Sequence, residues 1–211
     1  NSTGDSIVLD PSAYTWTDQG YSTPAWHALV VYELHVGTFG ALTGDPIPAG
    51  FDDCIDNLDH LEALGVNCVE VMPVNEFAGD VSWGYNLAHP WSVESAYGGP
   101  DAFKRFGGAC HDRGIAVLLD VVYNHWGPSD LDLWQYDGWS QNGYGGIFFY
   151  NDDRAVTPWG DTRPDFGRGE VREYLRDNAL MWLEEFWIDG LRVDGRQIHV
   201  RGEVERGGAQ A

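Results

Sequence analysis

Residues 115–125 read I-A-V-L-L-D-V-V-Y-N-H. The first eight form a nearly continuous apolar run of β-branched and aliphatic side chains, which describes a strand covered on both faces, as a parallel sheet requires. The run closes on an amide and an imidazole, so its C-terminal end is chemically unlike its body. Three further stretches share the apolar character: 29–36, 66–72 and 188–193. Between them lie helical stripes. Phe51, Ile55, Leu58, Leu61 and Leu64 recur at helical spacing and stop at Gly65; Phe103, Phe106 and Cys110 stop at Gly114; Val171, Leu175, Ala179, Trp182 and Phe186 form the longest stripe.

This alternation of strand and helix calls for parallel strands joined by right-handed crossovers. An open doubly wound sheet and half of a (β/α)8 barrel both satisfy it. No G-x-G-x-x-G follows the first strand, which disfavours the nucleotide-binding sheet. Strand-to-helix links are long (73–100 and 123–169), whereas helix-to-strand links are a glycine or so. Long loops on one rim are how a barrel builds an active face. The expected fold is therefore α/β: a partial (β/α)8 TIM barrel of about four βα units, with a long aromatic-rich loop after strand 3. Residues 1–28 read as a lead-in from an upstream domain, 29–195 as half a catalytic barrel, and 196–211 as an atypical, loose tail rich in arginine and glycine.

A formal net charge of −21 over 211 residues repels phosphate backbones, so nucleic acid is not an expected partner. Neither is a membrane, because no apolar run approaches the ~18–20 residues of a spanning helix. Residues 1–5 have neither the basic nor the apolar part of a secretory signal. Cys54, Cys68 and Cys110 sit among apolar neighbours without metal-binding spacing and read as buried thiols. The expected location is cytoplasmic.

Side chains two apart on a strand share a face, and the C-terminal ends of barrel strands open into the site. Arg192 and Asp194 therefore emerge together, a guanidinium beside a carboxylate. Such a pairing suits a nucleophile or an electrostatic stabiliser, and equally a structural ion pair. Asp120, Asn124 and His125 gather at the mouth of the third strand, where a metal site, a sugar site and a loop anchor are all open readings. The loop aromatics Trp126, Trp134, Tyr136, Trp139, Tyr144, Phe148, Phe149, Tyr150 and Trp159 are expected mostly to form a small core, with some lining outer subsites.

D-V-V-Y-N-H at 120–125 and D-G-L-R-V-D at 189–194 resemble two signature regions of glycoside hydrolase family 13, the α-amylase superfamily. So do V-Y-E-L-H-V-G-T-F at 31–39, W-G-Y-N-L-A-H-P at 83–90 and Y-G-G-P-D at 97–101, in the family's order. The flavour is that of glycogen branching enzymes, maltooligosyltrehalose trehalohydrolases and related bacterial α-amylases. The resemblance implies Asp194 as nucleophile, Arg192 as its orienting partner, Asp120 as anchor of the surrounding hydrogen bonds, and His125, Tyr85 and Trp83 as contacts to sugar. It implies no required cofactor, and Asn124 matches a position that often binds structural calcium. Two departures stand out: Asn86, where aspartate is common, and Gly195, where alanine is usual.

The family's acid/base glutamate and third acid belong to strands five and seven, which the 211 residues do not reach. Glu203, in a G-E-V faintly like the strand-five motif, and Glu70 on the second strand are the carboxylates that could stand in. The resemblance implies an α-1,4-glucan hydrolase of retaining mechanism acting on starch, glycogen or maltooligosaccharides, with a branching transglycosylase and an inactive glucan-binding fragment as alternatives. Four βα units leave two sheet edges unpaired, which invites a homodimer that completes the barrel.

Overall fold

The computed structural model describes residues 5–17, 20–41, 48–127 and 133–195. In chain order its elements are β1 (Val31–Leu34), α1 (Val36–Phe39), α2 (Phe51–Asp56), α3 (Leu58–Ala63), β2 (Cys68–Val71), β3 (Asn75–Phe77), β4 (Leu87–Val93), α4 (Gly99–His111), β5 (Ala116–Val121), α5 (Gly169–Glu184) and β6 (Gly190–Val193), with short 3-10 turns between. The four expected strands form one parallel sheet in the order β1-β2-β5-β6. This is an open arc of a barrel, not a closed one.

The register sorts the strand residues into two faces. Glu33 pairs with Glu70, Glu70 with Leu118, Leu118 with Gly190 and Asp120 with Arg192. These residues share the concave face, because ladder partners point the same way. The alternate residues Leu34, Val69, Val71, Val117, Leu119 and Val121 point to the helices and are buried with Phe51, Leu58, Leu61, Phe103, Phe106 and Trp182. At about 1.5–3 kcal/mol for each such side chain taken from water, this outer layer supplies most of the stability. The concave face contributes little: it is open, and a cavity of about 680 Å³ lies against it, lined by Glu70, Leu118, Gly190 and Arg192 together with Pro24 and Trp26.

Three features depart from the sequence pattern. The single helix expected over 51–64 is two segments that meet at Asn57, whose side-chain amide donates to the Asp53 carbonyl at 3.0 Å. A side chain that bonds its own backbone competes with the helical ladder, and Leu64 ends up exposed. The link 73–100 is not plain loop: β3 and β4 pair as an antiparallel hairpin with register shifts. Short α1 also stands directly after β1.

The lead-in is tied to the N-terminal end of the arc. Trp16 stacks on Trp187 with ring centres 4.5 Å apart, and Tyr21 stacks on His111 at 4.0 Å. Thr23 donates to Asp189 at 2.6 Å. The Asn67 amide holds both neighbours of Leu29, accepting from Val30 N–H and donating to the Ala28 carbonyl. Beneath the long loop after β5, Trp126 and Phe149 form a second buried cluster with Leu87, Val122 and, from α5, Val171 and Leu175; Trp134, Phe148 and Tyr174 pack against it. Of the nine loop aromatics, Trp126, Trp134, Phe148 and Phe149 join this cluster, fewer than expected, while Tyr136, Trp139 and Trp159 stay exposed. The expected tail 196–211, including Glu203, lies outside the described residues.

Candidate active site

The strand mouths of β5 and β6 meet through one arginine. Arg192 projects from β6 onto the concave face, and its Nη1 donates to Asp120 Oδ2 at 2.6 Å and to Asp194 Oδ1 at 2.7 Å. Asp194 follows β6 directly, its backbone N–H donating to the Val121 carbonyl at 3.0 Å, so the end of the sheet fixes its position. The Asp194 side chain is 17% exposed, whereas that of Asp120 is fully buried. The outer carboxylate therefore faces the open rim and the inner one supports it.

Tyr85 completes this support. Its hydroxyl donates to the same Asp120 Oδ2 at 2.7 Å. Burial pushes the Asp120 carboxyl above its ordinary range, against the hydrogen bonds from Arg192 and Tyr85. The Tyr85 hydroxyl is pushed up as well, by burial and then by Asp120. Asp120 Oδ1 has no hydrogen-bond partner among the described residues.

His125 is 3% exposed, and its Nε2 lies 2.9 Å from the Tyr85 carbonyl. A carbonyl can only accept, so Nε2 carries the hydrogen and Nδ1 is left as an acceptor without a partner among the described residues. Burial lowers the His125 pKa, opposed by the Tyr85 carbonyl and Asp194. The indole of Trp159 covers the ring, nearly parallel at 4.7 Å between centres. No local pattern marks this pairing, because 34 positions separate the two rings.

The W-G-Y turn has a steric reason. Gly84 adopts φ +86°, and a Cβ there would come within 2.2 Å of the Pro73 carbonyl oxygen. Only glycine lets the backbone pass this close and still aim Tyr85 at Asp120. Gly195 is comparable: φ is +64°, and a Cβ would meet the Asn124 side chain at 2.9 Å. The glycine in place of alanine after Asp194 thus matches the local backbone. Asn86 hydrogen-bonds Ser82 within the same turn.

Arg192, Asp194, Asp120, Tyr85 and His125 form one connected network. Trp83 is not part of it and stands 70% exposed. Asn124 is buried against Gly195, and no group of three or more His, Cys, Asp or Glu among the described residues could hold a metal ion. Glu70 is a partner that the motif reading did not assign. Its Oε1 lies 3.8 Å from Arg192 Nε, and burial, then Glu33, raises its pKa. The three cysteines are buried and unpaired. Burial pushes Cys54 up to about 12 and Cys68 up to about 11, which leaves them poor nucleophiles. No helix among the described residues is long and apolar enough to cross a membrane.

Residues 49–154 match the family model of the alpha amylase catalytic domain. A malto-oligosyltrehalose trehalohydrolase of Arthrobacter ramosus is 43% identical over 206 residues, covering 93% of this chain and 33% of that protein. A 1,4-alpha-glucan branching enzyme of Picrophilus torridus is 36% identical over 195 residues, covering 91% and 26%. A crystal structure described as an alpha amylase from Salmonella typhimurium superposes with a TM-score of 0.75 at 39% identity, over 88% of this chain and 29% of that one. A group B Streptococcus pullulanase shares the fold at a TM-score of 0.69 and 22% identity. The chain spans about a third of the length of the curated relatives it matches. It belongs to the alpha-amylase family, glycoside hydrolase family 13.

Proposed function

We propose that this chain carries the nucleophile half of a retaining α-glucan hydrolase site. One glucose ring sits against Tyr85 and His125, and Asp194 attacks its anomeric carbon. The observation that carries this reading is the shared Arg192 Nη1, which ties the rim carboxylate Asp194 to the buried Asp120 at 2.7 and 2.6 Å. Attack by a carboxylate forms a covalent glycosyl-enzyme intermediate that water then cleaves, with a second carboxyl group ~5–5.5 Å away as acid and then base. That second group is assigned to no described residue. Arg192 holds Asp194 in line, and the nearly parallel Trp159 keeps water from one face of His125.

Relatives named malto-oligosyltrehalose trehalohydrolase match at 35–43% identity, and those named 1,4-alpha-glucan branching enzyme at 33–36%. This favours water over a sugar hydroxyl as acceptor. The substrate class is a chain of α-1,4-linked glucose. The acidic surface supports a neutral polysaccharide partner rather than nucleic acid, and the unpaired thiols support a reducing, cytoplasmic setting. The open edges of β1 and β6 support pairing with further strands, from a longer chain or a second copy.

The test is release of nitrophenolate from a nitrophenyl maltooligoside. That leaving group needs little protonation, so the assay reads the nucleophile. We expect a rate in this chain that Asp194→Asn abolishes. An equal rate in the two proteins, or no rate together with no binding of maltoheptaose, would overturn the proposal.

A further inference from the structure

We infer that Trp159 is a substrate-binding residue: one face of its indole fixes His125, and the other is a stacking platform for the neighbouring glucose of the chain. The inference rests on the reading of the His125 and Tyr85 pocket as a sugar site, and it adds a second, outer position.

Trp159 is 60% exposed although Trp126, Trp134, Phe148 and Phe149 of the same loop pack together in its core. A large apolar ring left in water gives up burial that the loop core could have supplied. It is also held still. Thr157 N–H donates to the Gly160 carbonyl at 2.8 Å, Gly160 N–H returns to Thr157 at 3.3 Å, and Trp159 N–H donates to Thr157 Oγ1 at 3.1 Å. That turn is pinned to the loop core, because Thr162 Oγ1 donates to the Trp126 carbonyl at 2.7 Å and Trp126 N–H donates back to Thr162 at 3.1 Å.

The indole thus sits on a braced tip, nearly parallel to the His125 imidazole with an interplanar angle of 19°. The imidazole takes up one face, and the exposure of the residue means that the opposite face is open. A flat, electron-rich face suits the C–H surface of a pyranose ring, and a rigid aromatic loses little freedom on binding. The other exposed tryptophan of this loop is differently placed: the Arg168 guanidinium lies over the Trp139 ring, 5.4 Å from its centre.

The experiment measures maltoheptaose affinity by calorimetry for the full chain and for Trp159→Ala, Trp159→Phe and Trp139→Ala, with the His125 ring protons followed by NMR. We expect Trp159→Ala to weaken binding about tenfold, equivalent to about 1.4 kcal/mol, Trp159→Phe to keep most of the affinity, and Trp139→Ala to match the parent. The His125 resonances should move in Trp159→Ala as the ring current is lost. Equal affinity in the parent and Trp159→Ala, with the His125 signals moved, would overturn the platform and leave the proposed function standing. No binding by the parent would remove both.

Discussion

Arg192 and Asp194 lie two residues apart and are joined by a hydrogen bond of 2.7 Å, and the same guanidinium nitrogen reaches the fully buried Asp120 at 2.6 Å. Removing the guanidinium would leave Asp120 with the Tyr85 hydroxyl as its one hydrogen-bond donor among the described side chains. Breaking a fully buried pair costs about 3–5 kcal/mol. The Arg192 side chain is 40% exposed, so solvent screens part of this. We expect Arg192→Gln to lower unfolding stability by about 2 kcal/mol, read from urea midpoints. An unchanged midpoint would show that the network is not needed to hold the strand mouths together.

Gly84 gives a steric prediction. Its positive φ alone costs an alanine about 1–2 kcal/mol, and the added methyl would also collide with the Pro73 carbonyl oxygen. A backbone atom cannot rotate away as a side chain can. Gly84→Ala is therefore expected to shift the turn, withdraw Tyr85 from Asp120 and weaken maltoheptaose binding more than Trp83→Ala does. Trp83 stands exposed outside the network. Equal binding losses in the two variants would contradict this placement of the turn.

Strands and strand mouths were readable because their pattern is local. Residues 115–125 show an apolar body and a polar end within eleven positions, and alternation alone puts Arg192 and Asp194 on one face. Contacts between distant segments left no such mark. Nothing near Trp159 announces His125, and nothing near Thr23 announces Asp189, 166 residues away. The β3–β4 hairpin escaped notice because its register shifts break the alternation that marks a strand pair. Glu70 was visible as a carboxylate on β2, but only the sheet order carries it toward Arg192.

Glu70 is the third carboxylate around Arg192, at 3.8 Å from Nε and without a close hydrogen bond to it. If its part is to balance charge on the concave face, Glu70→Gln should change stability by less than about 1 kcal/mol, as weak, partly exposed pairs do. Nitrophenolate release should persist. A loss of rate as deep as that of Asp194→Asn would instead give Glu70 a direct part in the chemistry.

The floor of the arc has its own pH signature. Burial opposes the charge on Asp189, but His111, Thr23 and the Val117 N–H together hold its carboxyl below the ordinary range. A depressed folded-state pKa stabilises above the unfolded value of about 3.9 and ceases to do so as pH falls through the folded one. Asp189→Asn should cost about 2 kcal/mol at pH 7. The gap from the parent should close as pH falls below about 4. A gap that does not narrow at all between pH 5 and pH 3 would show that shape, not charge, sets its role.

His125 works in the opposite sense. Its folded-state pKa is lowered by burial, so between about 6.5 and that lower value the unfolded chain binds a proton that the folded chain refuses. Stability should therefore fall as pH drops below about 6.5. His125→Gln has no proton to take up in either state. Its stability curve between pH 7.5 and 5 should be flatter than the parent's, even if it starts lower through loss of the bond to the Tyr85 carbonyl. Urea midpoints measured at half-unit pH steps give both curves. Parallel curves would mean that His125 titrates alike in the folded and unfolded chain, which would be incompatible with the burial of its imidazole.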